Sequence, residues 1–445
     1  MSPDTSCNSL LEIPPGWDCV PLDQLVVAAR GISYGIVQPG THDPGGVPIV
    51  RVTDVRNGKV DTNDVLRVAQ DIESAYERTR LRGGEVLLSL VGTLGECAIA
   101  PERLRGWNVA RAIGVIPIAP GTDPRWISLC LRSSPVQALM RAWATTTVQA
   151  TLNLREVRRL PILLPSEGLR ARITETLGAL EEKIEQNQQT ARALERLAQA
   201  IFRAWFVDFE PVKAKAAGAT KFPSMPQPVF DALPTRFVNS DIGPVPDWWE
   251  VKALSSICTL VSGGTPKRSD ATYWDGDVPW FSVRDAPDQG ELWVIRTSEQ
   301  ISADGLTGSA ARVVPKGSTI ISARGTVGKL AMAGVPMAFN QSCYGLLPGD
   351  GKSFGYLHLL MQSVVAELKQ RTHGSVFDTI TRATFDGLFV TSPPAEIMST
   401  LESVVEPLLA LLLALVDESS KLAAMREYLL PKLLSGDVHV EATHG

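Results

Sequence analysis

The stretch GTLGECAIA at residues 92–100 returns as GTVGKLAMA at residues 325–333, and no other feature constrains the fold as strongly. Short matches arise by chance in a chain this long, so the register of the repeat decides its meaning. The offset is 233 residues, and other landmarks recur close to it. Pro15 and Trp17 of PPGW meet Pro246 and Trp248 of VPDWW at 231, and VPIVRVTD meets VPWFSVRD at 231 again. TLNLREVRRLPILLP meets TITRATFDGLFVTSP at 228, with Val157 on Phe385, Leu160 on Leu388 and Pro165 on Pro393. The chain therefore reads as two homologous halves in tandem, roughly 11–209 and 242–437.

Each half opens with short apolar runs broken by Gly and Pro, such as VPIVRV, GEVLLSLV and STIISA, which predict short β-strands joined by loops. Each half closes on a helical pattern. The first runs through Leu169, Ile173, Leu177, Leu180, Ile184, Ala191, Leu194, Leu197 and Ile201, with one gap at the polar Asn187. The second runs through Ile397, Leu401, Val405, Leu408, Leu412, Leu415, Leu422, Met425, Leu429 and Leu433, and Pro407 predicts a kink or a late start in it. Both stripes are narrow enough for coiled-coil pairing. Helices of 35 to 40 residues would be roughly 50–60 Å long, too long for one small domain to cover, so the two are expected to bury each other.

The expected fold class is α+β: two tandem mixed α/β globular modules joined by two long antiparallel coiled-coil helices, an internal repeat with a pseudo-twofold axis. Expected boundaries are a first module over 1–165, a central helix over 166–209 and a linker over 210–241 rich in proline. A second module over 242–393, a C-terminal helix over 394–437 and a tail over 438–445 complete the chain.

With 44% hydrophobic and 20% charged residues, the 445-residue chain has ordinary globular composition and can bury at least two cores. Its start lacks the basic flank and apolar run of a signal peptide, and the longest apolar run, 404–416, is interrupted by Glu406 and Pro407. Six scattered cysteines with no CxxC pair argue against zinc and a disulfide framework. These features predict a cytoplasmic location and no membrane partner. A net charge of −5 argues mildly against nucleic acid, but arginines cluster at 78–82 and 141–172, and Lys267–Arg268 form a smaller group.

Catalytic motifs are missing. The glycine-rich turn is no P-loop, since Ala323 stands at the first Gly, Leu330 at the hydroxyl position and Glu96 at the Lys of the first copy. PDWWEVK offers Asp247 and Glu250 at too short a spacing for a metal-dependent nuclease, and the first half has Gly16 and Cys19 there. The five histidines do not recur between halves, and TSPPAE at 391–396 lacks the ends of an adenine-methyltransferase loop. The residues describe a reader without a catalyst. In SGGTPKRSDATYWDGDVPWFSVRD, residues 262–285, glycines beside Thr265, Lys267 and Arg268 suit a loop on a phosphate backbone, with Tyr273, Trp274 and Trp280 anchoring it.

SGGTPK with YWDGDVPWFSVRD, then ISARGTVG and FNQSCYGLL, and the closings IFRAWFVDFEPV and YLLPKLLSGDV, resemble the specificity subunit of type I restriction-modification systems. The second half matches better, since the first lacks GGTP and has VARAIGVI where the second has FNQSCYGLL. The resemblance implies that each module is a target recognition domain reading one part of a bipartite double-stranded DNA site. It also implies that the helices set the gap and seat two modification subunits. Those subunits would carry S-adenosylmethionine, so this chain itself holds no cofactor, and a restriction subunit would join for cleavage. Candidate DNA contacts are Arg51, Ser89, Thr93, Arg111 and Gln149 in the first module, with Thr265, Lys267, Arg268, Arg284, Arg324, Thr326, Lys329 and Gln341 in the second. Candidate partner contacts are Ile184, Leu194, Trp205, Phe206, Leu412, Leu422 and Leu433. A coiled-coil scaffold without DNA specificity, or a DNA-modifying enzyme acting alone, are the alternatives, and the apolar stripe predicts poor solubility or weak DNA binding without partners.

Overall fold

A computed structural model of the chain describes residues 10–438 apart from 57, 147–149, 224, 288–290, 350–352 and 373–378. Two compact units form, one from residues 1–182 with 422–445 and one from 183–421. Two 40-residue helices, α1 (Glu167–Phe206) and α2 (Ala395–Leu434), each contribute to both units.

In the first unit the run VLLS over Val86–Ser89 is buried along its whole length, as expected of a central strand flanked on both faces. It pairs antiparallel with Ile113–Ile116 on one side and Cys97–Ile99 on the other, and Ser33–Tyr34 completes a four-stranded sheet. A second sheet joins Leu66–Val68, Val47–Val50 and Asn108–Val109, and Asp18–Pro21 pairs with Pro161–Leu164. The helix Pro124–Arg132 starts where the Asp123 carboxylate accepts from the Arg125 N–H, with Pro124 in its first turn. It buries Trp126, whose Nε1 donates to the Leu163 carbonyl at 2.8 Å.

The second unit repeats this plan. Thr319–Ser322 is the buried central strand, between Cys343–Pro348 and Leu330–Ala333, with Cys258–Ser262 and Trp293–Val294 at the edges. Trp274–Phe281 stands between Glu299–Ile301 and Ala338–Phe339, and Glu250–Ala253 pairs with Phe389–Ser392. Tyr356 takes the place of Trp126, its hydroxyl donating to the Thr391 carbonyl at 3.3 Å. Val157 and Phe385, and Leu160 and Leu388, are fully buried at the matching places, as the repeat predicts.

The opening landmark shifts by one residue. Trp17 N–H donates to Pro14 O and Trp249 N–H to Pro246 O, both at 3.1 Å, so Trp17 corresponds to Trp249. Trp248 then occupies the left-handed place of Gly16, at φ 57° against 78°. A conformation natural to glycine is held here by a non-glycine residue.

Within each unit the segments of α1 and α2 run antiparallel. In the first unit Ile173 and Leu177 share a core with Leu433 and Leu434, and Glu181 accepts from Arg132 at 2.6 Å with Arg426 at 3.5 Å. In the second, Ala191, Ala198, Phe202, Trp205 and Phe206 pack with Ile397, Leu401, Val405, Leu409 and Leu412. Asn187, the polar gap in the first stripe, is buried and donates to Glu418 at 2.7 Å. The buried face drifts from the predicted stripe: Ala198 replaces Leu197, which is 49% exposed, and Leu409 is more buried than Leu408. A straight helix turns about 20° per heptad away from a strict seven-residue repeat, which accounts for the slip.

Pro407 does not delay α2, which starts at Ala395 and continues through it. Its lost hydrogen bond and ring clash cost about 3 kcal/mol in a helix interior, and burial of Val405, Leu409 and Leu412 beside it offsets that cost. By length and composition α2 could cross a bilayer, although these same residues lie in the core of the second unit. The proline-rich segment 210–241 belongs to the second unit. It forms helices Glu210–Ala216 and Gln227–Ala232, and buries Val212, Phe230 and Leu233 in the second core.

Candidate nucleic-acid interface

The repeated turn leaves the central strand at the same place in both units. Ser89 N–H donates to Glu96 O at 2.7 Å and Gly95 N–H to Ser89 O at 3.0 Å. Ser322 N–H donates to Lys329 O at 2.9 Å and Gly328 N–H to Ser322 O at 2.8 Å. The turn requires positive φ twice, at Gly92 and Gly95 and again at Gly325 and Gly328, all between 77° and 89°. That need explains why the string is written twice. A side chain at Gly92 or Gly325 would meet nothing within 4 Å, so the turn faces outward, with Thr93 and Thr326 exposed on it.

Three more loops close on this turn in each unit. Leu90 N–H donates to Ala112 O at 2.8 Å and Leu152 N–H to Leu90 O at 3.0 Å. The matching pairs are Ala323 N–H to Ser342 O at 2.7 Å and Ile380 N–H to Ala323 O at 3.0 Å. The fourth loop is bound through Ile36 N–H to Val109 O and through Gly264 N–H to Phe339 O, at 2.8 and 3.0 Å. A Cβ on Gly35 would lie 2.1 Å from Val109 O, and one on Gly263 would lie 2.1 Å from Asn340 O. YGIV in the first half thus keeps the first glycine of GGTP, the one that packs against this neighbouring loop.

Several candidates meet at this end of the sheet. In the second unit Thr265 donates its hydroxyl to the Gln341 side chain, while Arg324 and Thr326 are exposed on the adjoining turn. Lys329 is half-buried where that turn re-enters the sheet, and its N–H donates to Ser322 Oγ at 2.8 Å. In the first unit Arg111, exposed, stands where Gln341 stands in the second. Among the described residues neither Arg111, Arg324 nor Lys329 has a side-chain hydrogen bond or ion pair, so their charges are available. Gln149 lies outside the described residues.

Other candidates are placed differently. Ser89 is buried and its hydroxyl reaches Val91 O and Thr93 Oγ1, so it shapes the turn and cannot face DNA. Arg51 forks onto Asp54 at 3.0–3.2 Å and reaches Asp64 Oδ2 at 3.1 Å, in the place where Ser282 bonds Asp285 in the second unit. Those carboxylates hold the guanidinium proton above its ordinary range and occupy the fork. Lys267 is exposed, Arg268 stacks on Trp274 and pairs with Glu299, and Arg284 lies 3.7 Å from the same carboxylate. Trp274 and Trp280 anchor the loop, donating to Lys267 O at 3.3 Å and Gly264 O at 3.0 Å.

Two arginines of the 78–82 cluster are structural: Arg80 pairs with the fully buried Glu73 at 2.6 Å and Arg78 donates to Arg30 O, while Arg82 is exposed. Trp205, Phe206, Leu412 and Leu433 are buried in the chain's own cores, which removes them as partner contacts, since an amphipathic stripe looks the same whether it faces a partner or the same chain. Ile184, Leu194 and Leu422 are half-buried.

Four cysteines and one histidine are held in their neutral forms by burial. Burial pushes the Cys97 thiol up to about 11 and Cys130, Cys258 and Cys343 up to about 12. His358 is fully buried against Thr319 and its ring is pushed down to about 3, so it stays neutral. No group of His, Cys, Asp and Glu among the described residues could hold a metal.

Residues 246–412 match the type I restriction modification DNA specificity domain. The type I restriction enzyme HindI specificity subunit of Haemophilus influenzae is 28% identical across 88% of this chain and 94% of its own length. The chain is thus similar to type I specificity subunits along most of its length. The EcoBI specificity subunit of Escherichia coli is 29% identical over 45% of this chain and 43% of its own length. The crystal structure of the S subunit from M. genitalium shares the fold with a TM-score of 0.55 at 14% identity, covering 97% of this chain and 99% of that one. Specificity subunits are the non-catalytic members of their systems, in accord with the motifs missing here.

One set of residues was missed from sequence. A cleft of about 350 Å³ in the first unit lies beside the turn at Leu94–Cys97, with Arg132, Gln137 and Arg141 along it. Gln137 donates to Gly95 O at 2.9 Å and holds the turn, while Arg141 is exposed. Their spacing on the helices Pro124–Arg132 and Ser134–Trp143 is ordinary, and only the fold brings them to the repeated turn.

Proposed function

We propose that the chain is the DNA-reading subunit of a type I restriction-modification assembly. Each module reads one part of a bipartite site, and the two long helices fix the gap between the parts. Modification subunits carrying S-adenosylmethionine then methylate adenine within the site, and a restriction subunit acts at unmodified DNA. The observation that carries this reading is the same four-loop end in both units, with uncommitted Arg111 in one and Arg324 and Lys329 in the other. Loops of this kind suit phosphate tracking with base-edge contact in the major groove, where Arg and Lys read guanine and Gln reads adenine. Different residues at equivalent places, Arg111 against Gln341 and Val37 against Thr265, suit two half-sites of different sequence. Modification subunits would seat on the apolar residues that the long helices leave exposed, Leu411, Met425 and Tyr428 among them, with Ile184, Leu194 and Leu422 at the margins.

Alanine at both Arg324 and Lys329 is expected to weaken DNA binding by the assembled complex. The dependence of log affinity on log salt should become shallower by about 0.9 for each phosphate that the variant no longer neutralises. Salt titrations by fluorescence anisotropy measure both quantities. Unchanged affinity with an unchanged slope would contradict the placement of the interface at this end of the sheet.

A further inference from the structure

In the second unit a cleft of about 540 Å³ is lined by Arg268, Trp274, Thr297, Ser298, Glu299 and Gln300. Two candidate DNA contacts converge there on one acidic side chain. Glu299 begins the strand Glu299–Ile301, and its carboxylate accepts from both terminal nitrogens of Arg268, the Nη2 bond being 3.0 Å. The same carboxylate lies 3.7 Å from Nη2 of Arg284. Trp274 covers one face of the Arg268 guanidinium, with its ring centre 3.9 Å from Cζ. Arg268 and Arg284 nonetheless remain 52% and 77% exposed, against 27% for Glu299.

A guanidinium offers the same planar fork to a carboxylate and to a phosphate. Glu299 therefore holds the donors that a DNA phosphate would take, while Trp274 keeps the guanidinium oriented for either partner. We propose that Glu299 is a resident anion that masks Arg268 and is displaced by a DNA phosphate when the loops dock. The mask lowers attachment of this module to DNA of arbitrary sequence, because exchange costs the Arg268–Glu299 pair and leaves a carboxylate near the phosphates. This inference rests on the DNA-reading function proposed above.

The test compares wild type, Glu299→Gln, Arg268→Ala and the double variant, each as the full-length chain co-purified with its modification subunits. A labelled duplex of arbitrary sequence is titrated at several salt concentrations. Glu299→Gln is expected to bind about tenfold more tightly at low salt, with a slope steeper by about 0.9, as one more phosphate is neutralised. The gain should disappear in the double variant. Equal or weaker binding by Glu299→Gln, beside salt-dependent binding by wild type, would overturn the mask and leave the DNA-reading function standing. A gain that survives Arg268→Ala would also overturn it, since bulk charge would then be the cause. No binding at any salt by wild type and Glu299→Gln alike would overturn both.

Discussion

Arg30→Ala is expected to destabilise the first unit by about 3–5 kcal/mol, the cost of leaving a buried charge without its partner. Arg30 donates to Glu85 Oε1 at 2.5 Å, to Arg78 O at 2.9 Å and to Arg80 O at 2.5 Å. The two side chains are 9% and 3% exposed, and the second oxygen of Glu85 has no protein partner. Removing the guanidinium would strip the pairing from Glu85 and release two carbonyls of the segment that leads into the strand Val86–Ser89. Arg30→Met with Glu85→Leu should cost less than Arg30→Ala alone, because a buried pair replaced as a pair by apolar groups leaves no orphan. Hydrogen exchange at Val86–Ser89 measures the loss within this unit, where a whole-chain melt would mix the two units. A loss below about 1 kcal/mol would contradict the role assigned to the pair.

Phe206→Ala is expected to cost about 3–5 kcal/mol in the second unit. The ring is 4% exposed and its centre lies 5.1 Å from Phe202, 5.9 Å from Trp249 and 5.7 Å from Tyr356. Aromatic pairs at these separations add about 0.5–1.5 kcal/mol beyond area burial. Val207→Ala next to it, at an exposed position, should change stability by less than about 0.5 kcal/mol. The comparison separates two roles for the AWF segment. A partner-facing Phe206 would leave the free chain as stable after truncation as before, whereas a core Phe206 lowers the protection of the strand Phe389–Ser392 in the chain by itself.

These two sites show what the sequence exposes and what it hides. The repeat was legible because strand pairing, turn glycines and buried landmarks are local patterns. Val157 with Phe385 and Leu160 with Leu388 could be aligned from letters alone. The opening tryptophans were misaligned by one because identity favours Trp17 on Trp248, while backbone conformation puts Gly16 there. The helix stripe slipped from Leu197 to Ala198 because burial follows 3.6 residues per turn and accumulates a phase error that letters do not show. Loop candidates divided by what could not be read at all. Arg324 and Arg51 are the same residue type beside similar loops, yet Asp54 and Asp64 pair with Arg51 while Arg324 stands exposed on its turn. Ion pairs of this kind depend on which loops the fold brings together, as with Arg268 and Glu299, 31 residues apart in the chain.

The central claim is that this chain chooses the DNA site at which partner subunits act. A genome-wide map of methylated adenines in the native host, with this gene intact and deleted, tests it most directly. The account predicts that one bipartite motif with a constant gap loses methylation on deletion and regains it when the gene is restored. The contradicting result is a motif that depends on the partner modification gene yet stays fully methylated without this chain.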